Sequence, residues 1–167
     1  MARPIITAER LRELLNYDPS TGLFTWLVSR GPAKIGGIAG CMDGEWYIVI
    51  GVDVRQYRAH RLAWLYMTGE WPIYEIDHKN TIQYDNRFDN LRQATRSQNK
   101  QNMRRAMSCN RCGLLGVSDS NGRCHVQICV AVKRRSLGYY DTPELAHAAY
   151  LAAKAILHPF QTIVETK

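Results

Sequence analysis

The chain has 167 residues, 46% of them hydrophobic, five cysteines and a formal charge of +7 at neutral pH. That content of periodically spaced apolar residues excludes a disordered chain and allows one ordinary domain or two or three small ones. No apolar run nears the ~18–20 residues that cross a bilayer, and "MARPIITAERLRELLNYD" has no signal-peptide hydrophobic region, so a cytoplasmic protein with reduced thiols and no membrane partner is expected.

The first predicted element is a helix, "TAERLRELL", with Thr7 as N-cap and Leu11, Leu14 and Leu15 on one face. Turn residues at Asp18-Pro19 and Thr21-Gly22 within "YDPSTGLFTW" lead into a strand. "EWYIVIGV" and "RQYRAH" read as a hairpin, and "RLAWLYMTGEWP" as a short helix stopped by Gly69 and Pro72. "IYEID" is a brief strand followed by a polar loop, and "NLRQATRSQNKQNMRRAM" is expected to be one helix. Beyond "SCNRCG" come three strand-like runs, "LLGVS", "RCHVQICVAV" and "RRSLGYY". The last helix starts at Thr142-Pro143 and carries a stripe of Ala146, Ala149, Tyr150 and Ala153. Three regions are expected: 1–58, a helix and strand region; 59–107, a core; and 112–160, a small sheet with one helix.

The positive charge is concentrated. From Arg92 to Gly138 there are ten lysines and arginines against one acid, Asp119. Such a field favours a polyanion, most commonly nucleic acid.

Residues 75–102 gather an Asp-His pair and five asparagines. Asp77 and His78 end a predicted strand, Asn90 stands at the start of the next helix and Asn99 within it. Asp and Asn offer hard oxygen ligands, which Mg²⁺ and Mn²⁺ favour over zinc's preferred set. A histidine beside such an ion can deprotonate water near neutral pH. On residue types alone, an ordinary solvated loop stands beside this reading.

The ordered pieces "AHRLAW", "IDHKN", "DNRFDNLR" and "SQNKQN", with the lead-in "YDPSTGLFTW", resemble the HNH family of endonucleases, in the branch whose final histidine is an asparagine. The resemblance covers residues 1 to 105. It implies an α+β protein with a ββα-metal (His-Me) finger and metal-dependent hydrolysis of DNA phosphodiesters. It further implies that Asp77 and Asn99 bind one Mg²⁺ or Mn²⁺, that His78 activates water, and that Asn90 accepts a hydrogen bond from the imidazole. Arg87 and Arg92 would add charge near the phosphate. His60 is expected to pack or hydrogen-bond rather than ligate. Thr81 stands where the family commonly has glycine.

Residues 113 to 158 resemble the ethylene-response-factor type of DNA-binding domain, a three-stranded antiparallel sheet backed by a helix, whose strands enter the major groove. Arg123, Lys133, Arg134 and Arg135 are the expected contacts there, joined on the preceding helix by Arg96, Lys100, Arg104 and Arg105. The usual strand tryptophans are replaced by Cys124 and Ser136, so phosphate contacts are expected over base readout. Cys109 and Cys112 have CxxC spacing, but Cys124 and Cys129 are five apart on one strand and point to opposite faces, so a structural zinc is not expected.

The reading is therefore an HNH-type endonuclease acting on double-stranded DNA, of phage or mobile-element (homing) kind, with a monomer the simpler expectation. The alternatives are a non-catalytic DNA-binding regulator and, third, an RNA-associated protein.

Overall fold

In the computed structural model, which describes residues 6–103, 106, 110, 112–130 and 133–160, Thr7 opens the first helix as its composition suggests. Its hydroxyl accepts from the Arg10 N–H and caps α1 (Ala8–Leu14). Strands β1 (Leu15–Asp18) and β2 (Leu23–Trp26) form an antiparallel hairpin with Leu15 opposite Trp26. The Asp18 carboxylate accepts from the Ser20 N–H at 2.9 Å, the Ser20 hydroxyl at 2.7 Å and the Thr21 hydroxyl at 2.9 Å, so the turn satisfies its own polar groups.

A second sheet runs β3 (Cys41–Met42), β4 (Ile48–Val52), β5 (Arg55–Arg58), all antiparallel. The β4–β5 turn places Asp53 and Val54 at positive φ, 44° and 61°, the pair of left-handed conformations that a two-residue hairpin with the strands' own twist requires. Helix α2 (Ala59–Thr68) follows and ends on Gly69 at φ 81°, the left-handed C-terminal cap that glycine adopts without a Cβ clash.

Strands β6 (Glu75–His78) and β7 (Leu91–Ala94) pair antiparallel, with Asp77 opposite Arg92 and His78 opposite Leu91. Helix α3 (Arg96–Gln101) comes next. The single helix expected over this stretch is thus divided. Leu91 and Ala94 are buried in a strand, and Thr95 with Gln98 forms a capping box that fixes the true start of the helix. Asn90 accordingly closes a 3₁₀ turn (Phe88–Asn90) ahead of a strand, not the start of a helix. Arg104 and Arg105, expected on that helix, lie outside the described residues, as does Cys109.

The chain divides into two compact units, Met1–Ala94 and Thr95–Lys167. In the first, Leu11, Leu15, Phe24, Ile50, Val52, Leu62 and Leu65 are fully buried, and Ile76 and Leu91 of the β6–β7 hairpin join the same core. The expected 1–58 region and this hairpin are therefore packed on one another. Phe88 lies 5.6 Å from the Trp64 ring of α2 and ties the intervening loop to it.

In the second unit, β8 (Val117–Ser120), β9 (Arg123–Val130) and β10 (Lys133–Tyr140) form an antiparallel sheet in the order β10-β9-β8. Helix α4 (Pro143–Leu157), capped by Thr142 with Pro143 at its first position, packs through Ala146 and Tyr150 on Val117, Cys124, Val126 and Ile128. Gly116, at φ 78°, lets the backbone approach the Tyr150 ring so closely that a Cβ would lie 2.0 Å from it. Cys124 is buried on this side and Cys129 is exposed, the opposite facing expected of their spacing. No helix among the described residues is long and apolar enough to cross a membrane.

Candidate active site

Asp77 and His78 end β6 almost fully enclosed, 6% and 5% exposed. Cross-strand neighbours share a face, so Asp77 meets Arg92: the guanidinium Nε donates to Asp77 Oδ2 at 2.9 Å, and Nη2 lies 2.9 Å from the same oxygen. Arg92 was expected to face a phosphate; its described partner is this carboxylate.

The imidazole of His78 has its Nε2 3.4 Å from Asn86 Oδ1. Asn86 is itself buried, and its Nδ2 donates to the Tyr84 carbonyl at 3.2 Å. With the amide nitrogen spent on Tyr84, it is the oxygen that faces the ring. A carbonyl oxygen only accepts, so this contact assigns the proton to Nε2 and the basic role to Nδ1. Burial lowers the His78 pKa, with the Asn86 contact, Asp77 and Asp85 opposing, which keeps the ring neutral and able to take a proton at neutral pH.

Asn90 departs from the role that the resemblance implies. Asn90 does not hold the imidazole; its Oδ1 accepts from the Asn80 N–H at 3.0 Å, and its Nδ2 donates to Asn80 Oδ1 at 3.0 Å and to the Asp85 carbonyl at 2.8 Å. It staples the two ends of the loop that follows β6, aided by the Lys79 N–H donating to its carbonyl at 2.9 Å. Asn80 extends the staple, donating to Asp85 Oδ2 at 2.7 Å. Arg87 is likewise engaged within the loop, its Nε and Nη2 donating to Asp85 at 2.9 and 2.7 Å, and this contact is the largest cause holding the Asp85 carboxyl below the ordinary range. Thr81 adopts φ 65°, so the loop keeps the left-handed conformation natural to glycine although it carries a side chain, at a cost of about 1 kcal/mol.

Behind His78 stands His60, 6% exposed, its ring edge-on to His78 at 5.0 Å and 5.3 Å from the Tyr47 ring. Its Nδ1 has no hydrogen-bond partner. Desolvation, with smaller contributions from His78, Arg58 and Arg61, lowers its pKa to about 3. His60 is therefore a neutral packing residue against the catalytic candidate.

Asn99 lies on α3 and so falls in the second unit, as do Arg96 and Lys100, both exposed on that helix. Among the described residues no cluster of three or more His, Cys, Asp or Glu could hold a metal ion.

In the second unit the sheet has one face against α4 and one open. Pairing places Arg134 opposite Cys129, Ser136 opposite Gln127 and Tyr139 opposite His125, while Arg135 pairs with buried Ile128 and Lys133 with Val130. Partners across a ladder point the same way, so Arg134 belongs to the open face with Arg123, whereas Lys133 and Arg135 are directed to the helix side. The three consecutive basic residues thus do not form one patch. The rest of the open face carries residues that no sequence motif marked. His125 stacks on Tyr139 at 4.5 Å, its Nε2 is 2.9 Å from the Ser136 hydroxyl, and Arg123 lies 5.9 Å from the Tyr139 ring centre.

Two strands and a helix follow one another from residue 75 to 101, with an Asp-His pair closing the first strand, an arrangement consistent with the ββα-metal finger of nucleases. Residues 57–101 match the family model described as HNH endonuclease, a stretch short of half the chain that contains Asp77, His78, Asn90 and Asn99. At the level of the family, this match supports a nuclease module in that segment. No curated protein and no solved structure matches the chain.

Proposed function

We propose that the protein is a metal-dependent endonuclease of the HNH type that hydrolyses phosphodiester bonds of duplex DNA, of the phage or mobile-element (homing) kind. The observation that carries this reading is His78: a buried, neutral imidazole beside Asp77, with its Nε2 turned to Asn86, inside the segment that matches the family. Its Nδ1 takes the proton of a water attacking phosphorus in line with the departing 3′-oxygen. Arg92 fixes the Asp77 carboxylate through Oδ2, and the Asn80–Asp85–Asn90 network keeps the loop behind His78 closed to rearrangement. Asp77 and Asn99 would hold Mg²⁺ or Mn²⁺; the part of Asn99 rests on its place in the family pattern. A divalent ion held there supplies positive charge for the phosphorane and the leaving oxygen.

The open sheet face of the second unit favours DNA binding beside catalysis, as the ethylene-response-factor resemblance implies. Arg123 and Arg134 provide charge for phosphates, and the stacked His125–Tyr139 pair adds a flat aromatic surface to the same face. The same face favours the second reading, a DNA-binding regulator without catalysis. Incubating the chain with duplex DNA in Mg²⁺ and in chelator separates the two. Cleavage that chelator abolishes supports the endonuclease, and binding with intact DNA in every metal supports the regulator.

A further inference from the structure

The hairpin β1–β2 meets the segment 86–88 at three points. The Tyr17 hydroxyl, in a side chain 4% exposed, donates to the Asn86 carbonyl at 2.7 Å. The Phe88 N–H donates to the Pro19 carbonyl at 3.1 Å. Gly22, at φ 76°, lies so close that a Cβ would stand 2.5 Å from the Arg87 nitrogen and 2.5 Å from the Asn86 carbonyl carbon. Both contacts are to backbone, which cannot swing aside as a side-chain tip would. Within the first unit, a turn some sixty residues upstream therefore fixes the peptide that carries Asn86, the residue whose amide faces His78.

We propose that Tyr17 and Gly22 are positioning residues for His78: through the Asn86 peptide they hold the amide oxygen against Nε2, and so keep Nδ1 as the basic nitrogen. This rests on the endonuclease reading for its consequence in rate, but the tautomer is a property of the folded chain alone. The Tyr17 hydroxyl is suited to the task because burial raises its pKa, so it remains a donor. The Asn86 carbonyl has two lone pairs and accepts it without disturbing the side chain.

The test uses the full chain with ¹⁵N-labelled histidine, the His78 signals being assigned with His78→Gln. Wild-type His78 shows the Nε2-protonated form. Tyr17→Phe, which keeps the ring and removes only the hydroxyl, populates the Nδ1-protonated form and lowers kcat on duplex DNA by about 10–100-fold with KM unchanged, the scale of loss a small misplacement produces. Gly22→Ala acts in the same direction and more strongly where it folds; if it does not fold, Tyr17→Phe decides alone. Tyr66→Phe, in the same aromatic cluster 5.7 Å from Tyr17, leaves tautomer and kcat as they are. A Tyr17→Phe protein with the wild-type tautomer and wild-type kcat would overturn the proposal. A wild-type chain that leaves DNA intact would sink the nuclease reading instead, with the tautomer still deciding the positioning role.

Discussion

His60 allows a prediction whose size follows from its surroundings. In the folded protein its pKa is lowered to about 3, chiefly by desolvation, while in the unfolded chain it titrates near 6.5. Between these values the unfolded chain binds a proton that the folded one refuses, so stability falls as pH falls from about 6.5 toward 3. At pH 4.5 proton binding favours the unfolded state by about 3 kcal/mol more than at pH 7.5. His78, shifted in the same direction, adds to the loss. Asp53 and Asp85, whose carboxyls are held low by Arg10 and Arg87 respectively, lose their contributions over a lower range. The perturbation that isolates His60 is His60→Gln, which removes the titration and leaves the carboxylates in place. Urea unfolding of both proteins at pH 7.5 and 4.5 should show the wild type losing about 3 kcal/mol more than the variant. Equal losses would refute the dry, neutral packing assigned to this ring.

Three further outcomes are expected. Arg92→Ala leaves the Asp77 carboxylate buried without its guanidinium partner and should destabilise the protein by about 3 kcal/mol in urea unfolding; a loss under ~0.5 kcal/mol would show the pair to be dispensable. Gly116→Ala drives a Cβ into the Tyr150 ring at a left-handed φ and should cost about 3 kcal/mol in the unfolding of the second unit, read by Tyr150 fluorescence or calorimetry, whereas an unchanged melt would contradict that packing. If Arg123 and Arg134 each neutralise one phosphate, their joint replacement by alanine flattens the slope of log K against log salt by about 1.8 on duplex DNA, while Lys133→Ala with Arg135→Ala changes it far less; the reverse order would place DNA on the helix side of the sheet.

Elements marked by local chemistry were legible in the sequence. Thr7, Thr142-Pro143 and Gly69 announce helix ends, and the β4–β5 hairpin and the C-terminal three-stranded sheet follow from apolar alternation. Strand β7 was not, because Leu91, Arg92, Gln93 and Ala94 fit a helix as readily as a strand until β6 pairs with them, though the Thr95…Gln98 capping box already marked the later start. The Asp-His pair was recognisable by its company. Which asparagine faces the imidazole was not: Asn86 and Asn90 are the same residue type, and only the folded loop turns Asn86 inward and makes Asn90 a staple. Facing on β10 depends on register, and "KRRS" has no apolar alternation from which to read it. The Gly22 approach to Asn86 and Arg87 joins residues far apart in sequence and leaves no local trace.

The proposed function depends on His78 acting as the base of a metal-dependent phosphodiester hydrolysis. Single-turnover cleavage of duplex DNA in saturating Mg²⁺ by the wild type and by His78→Ala tests it most directly, with DNA binding measured in parallel. Wild-type cleavage that chelator abolishes is expected, and in His78→Ala a rate lower by roughly 10²–10⁴-fold with binding retained. Equal rates in the two proteins would contradict it.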